Sequence, residues 1–156
     1  MKILMVCLGN ICRSPIAHGI LEKMAQEHGL DWEIDSAGTN GFHNGEHPHP
    51  HSISVCAKHG IDISKQVSRK ITREDLDNYD HIFCMAREVL VEMEGLFGSA
   101  IHKKHIRLLM DVENPGKGED VPDPWYGPAS GYQPVYDQIH RGCMAFIQEQ
   151  KINTTP

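Results

Sequence analysis

Cys7 is followed, after five residues, by Arg13, in the stretch Val6-Cys7-Leu8-Gly9-Asn10-Ile11-Cys12-Arg13-Ser14-Pro15. A thiol is a strong nucleophile once ionised, and a guanidinium offers a planar fork of donors that grips two oxygens of one oxyanion. The apolar run ahead of them, residues 2–7, reads as a strand, and an amphipathic helix pattern follows. A strand, a glycine-containing loop and a helix N-terminus aim several backbone N–H groups at one point, where the helix dipole adds partial positive charge. The amides of Leu8, Gly9, Asn10, Ile11, Cys12 and Arg13 are thus expected to form a phosphate cradle with the Cys7 thiol at its base. In that field Cys7 is expected to have a depressed pKa, with Ser14 capping the helix and Pro15 as its first residue. A plain buried cysteine beside a surface arginine would leave Gly9, Arg13 and the Ser-Pro start unexplained.

Displacement at a phosphate monoester spreads charge over three equatorial oxygens, which fixed N–H dipoles and a guanidinium stabilise. The leaving oxygen needs a proton as its bond to phosphorus breaks. Asp123, bracketed by Pro122 and Pro124, is the candidate general acid, and as a carboxylate it would then activate water against a phosphocysteine. Trp125 and Tyr126 beside it supply aromatic faces suited to walling a narrow site around a flat phosphoaryl group.

The Cys7 stretch resembles the low-molecular-weight protein tyrosine phosphatases, whose loop reads Cys-x-Gly-Asn-x-Cys-Arg-Ser-Pro. Asp123-Pro124-Trp125-Tyr126-Gly127 is similar to that family's general-acid loop, and Asp35-Ser36-Ala37-Gly38-Thr39 to its segment after the second strand; the likeness runs from about residue 2 to about residue 148. The resemblance implies a cysteine-dependent hydrolase of phosphotyrosine in proteins, without cofactor or metal, on a flavodoxin-like sheet of strand order 2-1-3-4. It implies that Asn10 keeps the loop in shape, and that Ser14 and Ser36 hydrogen-bond around the thiolate. It also implies a substrate pocket of Ile11, Phe42, Trp125 and Tyr126, and a reversible disulfide between Cys12 and Cys7. The chain departs from the family pattern at five positions. His18 stands where many relatives have glutamate, Ala86 replaces an aspartate, Trp125 a tyrosine, and His49 and His51 an acidic and a basic residue.

Three rival functions would each need residues that differ from those present. An arsenate reductase on this fold would pass oxidation to a cysteine pair, but Cys84 stands alone and Val91 occupies the position of a partner. Protein arginine phosphatases tend to have threonine where this chain has Ile11. A silent phosphopeptide-binding module would be expected to lose Cys7 or Asp123, and both are present. His43, His47, His49 and His51 suggest a metal, yet Pro48 and Pro50 hold them in a stiff extended stretch that scatters their side chains, so a solvated loop or rim is expected instead.

Positioning such a site requires a sheet with helices on both faces. Ile16, Ile20, Leu21 and Met24 fall on one helix face ending near Gly29, and residues 32–35 read as a second strand. A Gly/His-rich loop spans 39–51, a weaker helix 52–59 stops at Gly60, and Thr72 with Asp75 starts a short helix. Residues 81–85 and 105–109 read as further strands. Val89, Leu90, Met93, Leu96 and Phe97 mark one more helix, and Val135, Ile139, Cys143, Phe146 and Ile147 the closing one. This alternation implies an α/β/α three-layer fold with a four-stranded parallel sheet, one domain over 1–156, its ligand beyond the carboxyl ends of the strands.

The 156 residues, 40% apolar and 23% charged, suit one globular core, and a net charge of −6 argues against nucleic-acid or acidic-membrane partners. The partner expected is a phosphotyrosine protein, with the chain a monomer or weak homodimer. Met1 leads directly into the first strand, no stretch is apolar enough to span a bilayer, and five cysteines make an odd count, so a reducing, cytoplasmic setting is expected.

Overall fold

The computed structural model describes residues 1–154; the last two residues of the expected 1–156 domain lie outside them. Four strands, β1 (Lys2–Cys7), β2 (Glu33–Gly38), β3 (His81–Cys84) and β4 (Ile106–Leu108), form one all-parallel sheet in the order β2-β1-β3-β4. Every strand neighbour being parallel, each connection crosses over the sheet, and helices fill those crossovers: α1 (Arg13–Glu27) between β1 and β2, α2 (Pro50–Ala57) and α3 (Asp75–Asn78) between β2 and β3, and α4 (Arg87–Phe97) between β3 and β4; α5 (Met110–Glu113) and α6 (Tyr132–Thr154) follow the last strand. The expected α/β/α layering and strand order are both present.

β1 is the central spine, and its side chains alternate between two cores. Ile3, Met5 and Cys7 pack with α1, α2, α5 and α6, while Leu4 and Val6 pack with β3, β4, α3 and α4. Residues Ile3, Leu4, Met5 and Val6 are fully buried, each burial worth about 1.5–3 kcal/mol. This two-sided burial explains why β1 reads as a continuous apolar run rather than an alternating one. The closing helix buries all five residues of its predicted face, Val135, Ile139, Cys143, Phe146 and Ile147.

Several boundaries differ from expectation for local reasons. β2 continues to Gly38 because its register with β1 holds through Cys7↔Gly38. α2 starts at Pro50, since proline at the first helical position forfeits only an orphan donor. Ser14 is not the cap of α1: Cys12 occupies that position without a side-chain bond, and Ser14 lies inside the first turn with its hydroxyl spent elsewhere. α5 and two 3-10 turns, Gly98–Ile101 and Ala129–Gly131, were not anticipated. No helix among the described residues is long and apolar enough to cross a membrane.

Candidate active site

Cys7 ends β1 and Arg13 opens α1, so the intervening loop turns at the carboxyl edge of the sheet. The loop is tied from outside through its carbonyls. Thr39 N–H donates to Cys7 O (3.0 Å), Asn40 N–H to Leu8 O (3.1 Å) and His49 N–H to Ile11 O (2.8 Å). The Ser68 and Ser52 hydroxyls donate to Gly9 O and Cys12 O, each at 3.1 Å. With the carbonyls turned outward, the N–H groups turn inward; among the described residues, those of Leu8, Gly9, Asn10, Ile11 and Cys12 donate to no protein acceptor. Gly38 makes the turn sterically possible, because a Cβ there would stand 2.5 Å from Leu8 O.

Asn10 adopts a left-handed φ of 58° and uses both ends of its amide. Its Oδ1 accepts from Arg69 N–H (3.1 Å), and its Nδ2 donates to Ser14 Oγ (2.8 Å). Ser14 Oγ, its lone pair so engaged, lies 3.0 Å from Cys7 Sγ and can direct its own O–H at the sulfur. Ser36 is placed differently from expectation: buried at the end of β2, its hydroxyl meets His18 Nδ1 at 3.3 Å and makes no bond to Cys7 or Ser14. Cys12 and Cys7 are both free thiols. Burial pushes the Cys12 thiol up to about 12, with Tyr132 Oη 3.7 Å from its sulfur, so a disulfide to Cys7 would first require removal of that proton.

Arg13 is 2% exposed. It donates to Val121 O (3.0 Å) and Glu88 Oε1 (3.2 Å), and its guanidinium stands 3.8 Å from Asp123 Oδ2. Cys7, Arg13 and Asp123 meet in one cavity of about 220 Å³, whose rim carries Phe42, Trp125 and Tyr126 and whose wall includes Ile11. Phe42 and Tyr126 are almost fully exposed there. A thiol below five inward amides, a buried guanidinium at one side and a carboxyl group at the mouth is an arrangement able to hold an oxyanion and protonate a leaving group.

Residues 2–155 match the family described as low molecular weight phosphotyrosine protein phosphatase. The chain belongs to that family. A low molecular weight phosphotyrosine protein phosphatase of Pongo abelii is 37% identical over 150 residues, covering 95% of this chain and 94% of that protein. Among solved structures, a protein tyrosine phosphatase of Entamoeba histolytica superposes with a TM-score of 0.89 at 32% identity, covering 99% of each chain. An arginine phosphatase of Drosophila superposes with a TM-score of 0.86 at 31% identity over 97% of this chain and 98% of that one.

Several parts of this phosphatase site carried no sequence signal. Glu88 reaches Arg13 from the start of α4, two positions beyond the Ala86 that replaces the family's aspartate. Ala86 cannot cap α4, and Asp120 Oδ1 accepts the Arg87 N–H instead at 2.7 Å. The ties from Thr39, Asn40, Ser52 and Ser68 come from distant segments with no fixed spacing to Cys7. The four histidines do not converge on one point: His43 meets Glu46, His47 the Gln66 carbonyl, His49 stacks on Tyr132, and His51 meets the same Tyr132 ring edge-on. Among the described residues, no three His, Cys, Asp or Glu side chains are grouped to hold a metal ion.

Proposed function

We propose that this phosphatase hydrolyses phosphotyrosine in proteins through a phosphocysteine on Cys7. The Cys7 thiolate attacks phosphorus, forming the S–P bond as the bond to the tyrosyl oxygen breaks, and Asp123 gives its proton to that oxygen. Asp123, now a carboxylate, takes a proton from water; the water oxygen bonds to phosphorus, the S–P bond breaks, and phosphate leaves with the thiolate restored. Arg13 and the amides of the Cys7 loop hold the three equatorial oxygens through both steps. The observation that carries this reading is the meeting of Cys7, Arg13 and Asp123 in one cavity whose inward N–H groups have no protein acceptor. The exposed rings of Phe42 and Tyr126 at the rim favour a phosphoaryl group on a protein surface. A thiol nucleophile works only while reduced, which supports a reducing, cytoplasmic setting.

The likeness to an arginine phosphatase keeps phosphoarginine as a second substrate class. An arsenate-reducing relay finds no support: Cys84 is fully buried, its thiol is pushed up to about 12, and it contacts Met93 Sδ at 3.4 Å. The test is hydrolysis of a phosphotyrosine peptide under reducing conditions with a chelator present, phosphoarginine run in parallel. Turnover of the phosphotyrosine peptide should persist with chelator and fall at least about 10³-fold in Cys7→Ser, which should still bind vanadate. Turnover of phosphoarginine alone would transfer the assignment to the second class, and near-normal activity of Cys7→Ser would refute the covalent mechanism.

A further inference from the structure

The run His47-Pro48-His49-Pro50-His51 takes no part in the chemistry above, yet it lies against both loops that do. His49 is fixed at three points. Its N–H donates to Ile11 O in the Cys7 loop (2.8 Å), and its Nδ1 accepts from His51 N–H (3.0 Å), capping α2. Its ring stacks on Tyr132 (centroids 5.5 Å, planes 22° apart) and meets Trp125 edge-on (5.4 Å, 78°). Tyr132 in turn touches Cys12, so the imidazole stands between the phosphate loop and the acid loop.

The acid loop is secured at its base, where Val121 N–H donates to Met85 O (2.8 Å) and Val121 O accepts from Arg13. Beyond that, apart from the 3.8 Å approach of the Arg13 guanidinium to Asp123 Oδ2, its bonds are local. Trp125 N–H donates to Asp123 Oδ1 (3.1 Å) and Gly127 N–H to Pro124 O (3.0 Å). Among the described residues, no hydrogen bond or ion pair joins residues 124–127 to another segment. Pro124 is buried, and the Trp125 ring meets the rest of the molecule at His49 and at His43 (5.5 Å, 54°). Because Trp125 N–H holds one oxygen of Asp123, the seat of the indole sets where the carboxyl group points.

We propose that His49 is a positioning residue for the general acid: its ring seats Trp125, and through the Trp125 amide it holds the Asp123 carboxyl group at the mouth of the cavity. This rests on the reading of Asp123 as the acid. Burial and the neighbouring His51 keep His49 below the ordinary imidazole range, in keeping with an Nδ1 that must stay unprotonated to accept from His51.

Two variants separate the ring from the cap. His49→Asn keeps a cap acceptor and removes the ring; His49→Phe keeps a ring and removes the acceptor. The readout is kcat/KM across aryl phosphates from good to poor leaving groups, with vanadate inhibition and melting temperature measured alongside and Asp123→Asn as reference. His49→Asn should depress kcat/KM for the poor leaving groups about three- to tenfold more than for the good ones, the size of one aromatic contact, with vanadate affinity unchanged. His49→Phe should retain the wild-type leaving-group dependence while melting at a lower temperature. Unchanged dependence in His49→Asn, or equal steepening in His49→Phe, would overturn the proposal. If Asp123→Asn itself showed no steepening, the general-acid reading would fall first and this proposal with it; steepening in Asp123→Asn but not in His49→Asn would remove the positioning role alone.

Discussion

Asn10 concentrates the demands of the phosphate loop in one side chain. Its backbone sits at φ 58°, a region asparagine tolerates far better than alanine, and its amide links Arg69 to Ser14 and thereby to the sulfur of Cys7. Asn10→Ala should cost about 2–4 kcal/mol of stability, from one left-handed residue, one buried hydrogen bond and one partly buried one, and should weaken vanadate binding about tenfold. Chemical denaturation with a vanadate titration on the same protein checks both; unchanged stability would mean the loop keeps its shape without this amide. At this scale the sequence was most legible in residue type: Cys7, Arg13 and Asp123, singled out by type, all line one cavity. It was least legible where a role depends on distant geometry. Ser36 matches a family position, yet its hydroxyl turns to His18, and Glu88 reaches Arg13 with no motif to announce it.

Short elements are held by charge where they have too little apolar surface to hold themselves. α3 is four residues long; Asp75 accepts the Thr72 N–H and receives a two-pronged contact from Arg69, which also bonds Asp35 on β2. Burial alone would raise Asp75, but the Arg69 bonds and the Thr72 amide outweigh it, and its carboxyl group titrates below the ordinary carboxylate range. A depressed folded pKa means that the unfolded chain takes up the proton first. This stabilisation is therefore complete above the ordinary carboxylate range and is lost as pH falls through and below it. Asp75→Asn should lower neutral-pH stability by about 1–3 kcal/mol and flatten the dependence of stability on pH below about pH 4, measured by urea melts across that range. An unaltered acid limb would show that Asp75 is not its source. The Thr72/Asp75 start was readable because a helix start has a fixed local spacing. α5 and the 3-10 turns were not, since three or four residues show no period to detect.

The molecule as a whole is a parallel sheet whose two faces must both be covered, and that requirement made the sheet type and the burial of β1 and α6 readable from apolar pattern, whereas the strand order followed only from the family resemblance. The same coverage leaves one histidine in an apolar seam. His81 lies parallel to Phe83 (5.9 Å) and edge-on to Phe146 (4.9 Å), and burial with nearby Arg107 holds it below the ordinary imidazole range. Its neutral form is favoured in the fold, so stability is full above the ordinary imidazole pKa and declines as pH falls below it. His81→Phe keeps the ring packing and removes the titration; its stability gain should be larger at about pH 5.5 than at about pH 7.5, and equal gains at both would assign acid sensitivity elsewhere. The proposed function rests at this scale on where the sheet ends: β1 delivers a buried thiol to the base of a loop whose N–H groups have no protein acceptor among the described residues. The most direct test is rapid acid quench of the enzyme during turnover of a phosphoaryl substrate, followed by mass spectrometry of the peptide containing Cys7. The mechanism predicts phosphate on Cys7 that appears within the first turnover and disappears as substrate is exhausted; an unmodified Cys7 throughout turnover, or phosphate on a different residue, would contradict it.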